Sequence, residues 1–197
     1  MALTTADIRN LVLIGHAGAG KTLLAEALLH RAGAIKAMGE LARGTTVCDF
    51  DPLEKEFQHS LDPAVCHLAT QDKHVNLIDT PGYPALLGRS MSVLGAAETA
   101  VVVMSAVAGI EMATRRMWDA AAKEQLCRVI VINKLDTGGA GLPQLLEHLR
   151  QEFGKECLPI NLPAEGGKKV IDCFFAADGP PTDFSSVKDA HRAIIEQ

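Results

Sequence analysis

Residues 11–29, "LVLIGHAGAGKTLLAEALL", constrain the fold more than any other part of this chain. An unbroken aliphatic run meets the spacing G-x-x-x-x-G-K-T and passes at once into a stripe made by Leu24, Leu28 and Leu29. A short continuous apolar run is a strand covered on both faces, and the stripe is a helix. Gly15, Gly18 and Gly20, with His16, Ala17 and Ala19 between them, let the backbone turn its N–H groups inward around phosphate oxygens. The helix beginning near Lys21 adds its positive dipole end. In this reading Lys21 reaches the β/γ-phosphates and the Thr22 hydroxyl ligates Mg²⁺. The motif does not choose between ATP and GTP, nor between a kinase, an ATPase and a switch.

The rest of the chain repeats the strand–helix rhythm. Apolar runs over 75–78, 100–104 and 128–132 join the one at 10–14, and helical patterns cover 21–32, 113–123 and 142–153. Such alternation predicts an α/β fold with a doubly wound, mostly parallel sheet, helices on both faces and right-handed crossovers. Residues 37–62 have no clear period and many charges, so they read as a long functional loop. Beyond Phe153 the style changes. Strands are expected over 157–162 and 169–175, joined through Glu165-Gly166-Gly167 as a hairpin. Residues 178–183, "DGPPTD", form a loop, and a helix starts with Ser185 or Ser186 as its cap.

Composition narrows the classes. At 197 residues the chain can bury one good core with a small appendage. A net charge of −5 and no dense Lys/Arg run argue against autonomous DNA binding, and 4% aromatic residues supply no stacking platform. The apolar runs at 11–14 and 99–110 are too short for a signal peptide or a membrane span, which leads to a cytoplasmic expectation without membrane partners. Five cysteines, Cys48, Cys66, Cys127, Cys157 and Cys173, are scattered without a C-x-x-C pair. They read as small buried hydrophobes in a reducing compartment.

Two further motifs refine the ligand. Asp79-Thr80-Pro81-Gly82 ends an internal strand beside the phosphate loop. There Asp79 can hold a Mg²⁺-bound water, and the Gly82 N–H can meet a γ-phosphate oxygen. Loss of that phosphate would release the segment that follows. Asn133-Lys134-Leu135-Asp136 follows the run at 128–132. Asp136 can accept from both N1–H and N2–H of guanine, whereas adenine would leave it buried and unpaired. Lys134 would pack its stem along the base, and Asn133 would tie this loop to the phosphate loop. The ligand expected is therefore GTP or GDP with Mg²⁺.

With these motifs in order, the chain resembles the amino-terminal part of an elongation factor G-like translational GTPase. "GHAGAGKT", "DTPGY" and "NKLD" match the first, third and fourth guanine-nucleotide motifs. "RMWDAAAKEQLCRVIVINKLD" and "LPINLPAEGGKKVID" extend the likeness over nearly the whole chain. The resemblance implies a P-loop NTPase fold over residues 1–154, lacking its last strand and helix. It also implies that residues 155–197 are part of a small inserted α/β subdomain. Through the full-length protein it implies a ribosomal partner, and GTP hydrolysis in elongation or a related step. Ribosome protection, recycling, and a binding switch with little hydrolysis stand as alternatives.

Three departures from the family pattern bear on chemistry. Gly18 stands where an Asp usually precedes Ala-Gly-Lys. In the first switch, Phe57-Gln58-His59-Ser60-Leu61 replaces the usual Arg-Gly-Ile-Thr-Ile, which gives Ser60 the threonine's Mg²⁺-ligand role. Tyr83 follows Gly82 where elongation factors carry a histidine that orients the attacking water. A phenol cannot supply a cationic imidazole, so intrinsic hydrolysis is expected to be slow. His59 is the candidate surrogate, which makes Tyr83, Lys21, Gly82 and His59 the expected catalytic set. Ser105-Ala106 follows the wrong strand to act as the fifth guanine motif, and nothing after Phe175 fits it.

Overall fold

In a parallel sheet covered on both faces, successive strand residues must both be apolar, because they point to opposite cores. The computed structural model, which describes residues 4–70, 73–137 and 141–197, shows this directly. Strands β1 (Ile8–Ile14), β2 (Ala64–Thr70), β3 (Lys73–Asp79), β4 (Thr99–Ser105) and β5 (Cys127–Asn133) form one sheet in the order β2-β3-β1-β4-β5. β1 runs parallel to β3 and to β4, while β2 pairs antiparallel with β3. The expected α/β class and mainly parallel sheet are present.

Val12 and Ile14 of β1 pack on one face with Ile78, Ala100 and Val102. Helices α3 (Leu87–Ser92) and α4 (Met112–Lys123) cover that face through Leu87, Ala113, Met117 and Ala121. Leu13 points the other way, into a second core with Leu77, Val103 and, from α1 (Lys21–Arg31), Ala25 and Leu29. All three central strands end at the same edge of the sheet. Leu13 lies beside Asp79 there, and Ile14 beside Val102.

Three elements are absent from the sequence reading, among them the short helix α3, whose six residues are too few to show a period. Strand β2 alternates buried and exposed residues, because it is an edge strand covered on one face only. It therefore lacks the continuous apolar run that marks the inner strands. The segment read as a long loop holds helix α2 (Pro52–Phe57), which is capped by Asp51 with Pro52 in its first turn and Glu54 completing a capping box. D-P-x-E was a legible start signal, but six residues are too few to show a period.

The described residues cluster into two compact units, Met1–Met104 with Ile110–Asn133, and Ser105–Gly109 with Lys134–Gln197. The second holds α5 (Leu142–Phe153), the antiparallel hairpin β6 (Asn161–Ala164) and β7 (Lys169–Asp172), and α6 (Val187–Ile195). Leu162, Cys173, Val187 and Ala190 form its core. β7 is shorter than expected because the Asp172 carboxylate accepts from the N–H groups of Phe174 and Phe175, turning the chain out of the strand. Ser186, not Ser185, caps α6, its hydroxyl accepting from Asp189 N–H at 3.1 Å. Cys48, Cys66 and Cys173 are buried as expected, whereas Cys127 is exposed on β5.

Met117 is fully buried where α4 meets the sheet. Met117→Ala should lower unfolding free energy by about 2–5 kcal/mol in urea titrations. A loss under about 1 kcal/mol would contradict the packing described.

Candidate functional site

The glycine loop after β1 adopts backbone angles that only glycine accepts readily. Gly15, Gly18 and Gly20 have φ of 136°, 73° and 96°. At Gly15 an added Cβ would collide with the Val103 carbonyl oxygen, so the loop hugs the end of β4. His16 is buried, and its Nδ1 lies 2.7 Å from Ala17 O and 3.5 Å from Glu111 Oε1. Both oxygens can only accept, so this nitrogen carries the proton and the ring braces the loop.

Lys21 and Asp79 are the charges at the centre. Lys21 Nζ donates to the carbonyls of Gly15 (3.1 Å) and His16 (2.9 Å). Burial lowers its pKa to about 8, against the opposing pull of the Asp79 charge. Asp79 is buried at the end of β3, and desolvation raises its carboxyl to about 6 although Thr22 and Lys21 act the other way. Asp79 Oδ2 accepts from Thr22 Oγ1 at 2.6 Å, and Oδ1 is buried with no hydrogen-bond partner among the described residues.

Ser60 reaches the same point from the long loop. Its hydroxyl donates to Asp49 Oδ1 at 2.7 Å, and Thr46 Oγ1 donates to Asp49 Oδ2 at 3.0 Å. Ser60 Oγ and Thr22 Oγ1 stand 3.3 Å apart. Each hydroxyl proton is already directed at a carboxylate, so these two oxygens face each other with lone pairs. Two facing hydroxyl oxygens and an orphaned carboxylate oxygen suit a hard cation such as Mg²⁺. Asp49 is the member that the sequence reading missed. It is a buried carboxylate in an aperiodic segment, and no spacing marks it.

Two buried glutamates hold the long loop in this register. Glu26 of α1 accepts from Gly39 N–H and Val47 N–H. Glu54 of α2 accepts from the N–H groups of Leu61 (2.9 Å) and Asp62 (3.2 Å), immediately after Ser60.

The DTPG segment lies against the phosphate loop. Thr80 Oγ1 donates to Leu13 O at 2.7 Å, and Ser90 Oγ donates to Pro81 O at 2.7 Å. A Cβ on Gly82 would lie 2.7 Å from Ala17 N and closer still to Lys21 Nζ, so only glycine fits. Tyr83 is 45% exposed, and its ring centroid lies 4.4 Å from that of His59. His59 in turn stacks on Phe57 at 6.0 Å. The structure thus sets Tyr83 and His59, two members of the expected catalytic set, side by side. His59 Nδ1 lies 3.2 Å from Ser60 O, so Nδ1 carries the proton and Nε2 is left as an acceptor.

Asn133 donates from Nδ2 to Ala19 O at 3.0 Å, the expected tie to the phosphate loop. Lys134 follows with φ of 60°, and Asp136 sits in a 3-10 turn, Leu135–Thr137. Both belong to the second unit.

The Asp79 environment has a measurable consequence. Its folded carboxyl titrates near 6, above its ordinary 3.8, so the folded state binds more protons between these values. Ligand-free stability from this group is present below about pH 4 and is lost as pH rises through about 6. Asp79→Asn keeps the Thr22 hydrogen bond without the charge. It should stabilise the ligand-free chain at pH 7.5 by up to about 3 kcal/mol, and by nothing near pH 4. Thermal melts at both pH values test this, and a pH-independent difference would refute it.

The sequence matches the family described as "Elongation factor Tu GTP binding domain" over residues 6–190. It is 37% identical over 199 residues to an "Elongation factor G-like protein" of Mycobacterium tuberculosis, covering 96% of this chain and 28% of that protein. It is 32% identical over 173 residues to "Ribosome-releasing factor 2, mitochondrial" of Candida dubliniensis, covering 88% of this chain and 21% of that one. The chain thus spans about a quarter of the length of these relatives. A crystal structure of a Thermus thermophilus protein, ttk003000868, superposes with a TM-score of 0.85 at 36% identity, covering 97% of this chain and 31% of that one. The glycine loop, DTPG and NKLD motifs thus lie in a chain that belongs to the elongation factor Tu GTP-binding-domain family, similar over most of its length to elongation factor G-like proteins.

Proposed function

We propose that this chain is the GTP-hydrolysing domain of an elongation factor G-like protein that works on the ribosome in the cytoplasm. The observation that carries the hydrolytic reading is the meeting of Thr22, Ser60 and the orphaned Asp79 oxygen beside Lys21. The reaction is GTP + H₂O → GDP + phosphate. Lys21 and the N–H groups of the glycine loop hold the phosphates, with Gly15, His16, Ala17, Gly18, Ala19 and Gly20 supplying the backbone. Thr22 and Ser60 would hold Mg²⁺ directly and Asp79 through a water; the ion would neutralise charge on the β/γ-phosphate oxygens. Thr80 and Pro81 position Gly82, whose N–H meets the γ-phosphate. Asn133, Lys134 and Asp136 select guanine. Residues 1–154 are the GTP-binding domain without its last strand and helix, and residues 155–197 are part of a small subdomain inserted into it.

Water positioning falls to the aromatic pair. Tyr83 offers a neutral hydroxyl, and His59 an imidazole with Nε2 as acceptor. Neither reproduces a histidine directly after Gly82, so turnover without the ribosome is slow. Single-turnover hydrolysis by Tyr83→His should rise about tenfold to a hundredfold, and an equal or lower rate would reject this role for Tyr83. His59→Ala should lower the wild-type rate, and full activity would remove His59 from the reaction.

Guanine selectivity has its own test. Calorimetry should find GTP bound at least about a hundredfold more tightly than ATP, with Asp136→Ala erasing most of the difference. Equal affinities in the wild type would overturn the assignment of base recognition.

A recycling role is the second reading, favoured by the similarity to a ribosome-releasing factor. GTP turnover by the full-length protein on translating and on post-termination ribosomes separates it from elongation.

A further inference from the structure

We propose that Cys48 and Cys66 form an oxidisable dithiol, which closes to a disulfide with a low-molecular-weight disulfide as oxidant and tethers the long loop to β2. The two cysteines lie 18 residues apart, one on the loop and one on the edge strand, with their sulfurs 3.9 Å apart. A disulfide needs about 2 Å less, a displacement within reach of a side-chain rotation and a small loop shift. Both side chains are buried, at 2% and 7% exposure, in the core beside Leu29 and Leu77.

The hydrogen bonds assign the order of events. The Cys48 thiol donates to Cys66 Sγ, and the Cys66 thiol donates to Leu77 O. The Cys48 donor stabilises a thiolate on Cys66, which lowers the Cys66 pKa, whereas the same contact and burial raise that of Cys48. Cys66 is therefore the attacking sulfur. When the loop carrying residue 48 lifts from β2 and opens the pair to solvent, the Cys66 thiolate attacks one sulfur of oxidised glutathione, the S–S bond of the oxidant breaks, and one glutathione thiolate leaves with the Cys48 proton. Cys48 then attacks Cys66 Sγ and displaces the second glutathione. The protein loses two electrons and two protons, and the oxidant becomes two thiols.

The position gives the bond a consequence, which rests on the nucleotide reading above. Val47, just before Cys48, is held by Glu26, and Asp49, just after it, holds the Ser60 hydroxyl. A covalent tie at residue 48 keeps this part of the loop against the sheet. Escape of bound nucleotide, which requires the loop to lift, slows.

The test treats the reduced protein with oxidised glutathione, alkylates the remaining thiols and maps peptides by mass. The expected product is a Cys48–Cys66 cross-linked peptide that dithiothreitol reverses, and that neither Cys48→Ser nor Cys66→Ser can form. Release of a fluorescent GDP analogue from the oxidised wild type should slow by about tenfold, and not from either variant. The proposal is overturned if Cys48 and Cys66 stay alkylatable, or if each carries glutathione without the cross-link. The peptide map on wild type needs no variant and no nucleotide. A chain that failed to bind GTP would strike the functional reading and leave the linkage standing, and a missing linkage would do the reverse.

Discussion

Lys21 and Asp79, two opposite charges buried at one end of a sheet and felt by each other without a direct hydrogen bond, set the electrostatics on which the surrounding loops depend. Burial weakens both charges, pulling the lysine down to about 8 and the carboxyl up to about 6. Neither is fully relieved by its neighbours, since Lys21 has only loop carbonyls and one Asp79 oxygen has no partner among the described residues. A site in this state favours a ligand that brings anionic oxygens to the lysine and a cation to the carboxylate. The tight approach at Gly82, where a Cβ would meet Lys21 Nζ, follows from it. Loops that close over buried charge must come within van der Waals contact, and there a Cβ has no room.

The long loop is organised by carboxylates rather than by apolar packing. Glu26, Asp49 and Glu54 are each buried, and each accepts from backbone N–H groups or hydroxyls of that loop. Buried backbone donors need acceptors, and a carboxylate supplies several at once. This explains how a segment without hydrophobic period holds a defined path. It also explains why Ser60 arrives opposite Thr22: Glu54 grips the next two N–H groups along the chain.

The departure at Tyr83 is not an isolated substitution. Its ring meets His59 from the other loop, and His59 meets Phe57, so three aromatic groups join the two loops. Ordering one loop therefore favours ordering the other. In the functional reading proposed above, the water would be positioned by a contact between loops rather than by one side chain on one loop. The exposed Arg89 adds to the same coupling through Asp62 and the Leu61 carbonyl.

Local sequence was enough to specify the strand–glycine loop–helix unit, the strands with continuous apolar runs, the long helices α1, α4 and α5, and the three nucleotide motifs, though not the short helix α3. These are written in short-range features: aliphatic runs, helical stripes, and glycines at positions needing positive φ. The folded chain was needed to show that β2 is a strand, because an edge strand covered on one face has no inner-strand signature. Folding alone brought Asp49 to Ser60, His59 to Tyr83 and Cys48 to Cys66. Those pairs join side chains from separate elements, and their partners are chosen by how the loop folds back on the sheet. No spacing along the chain records a contact that is made by burial and hydrogen bonding between distant segments.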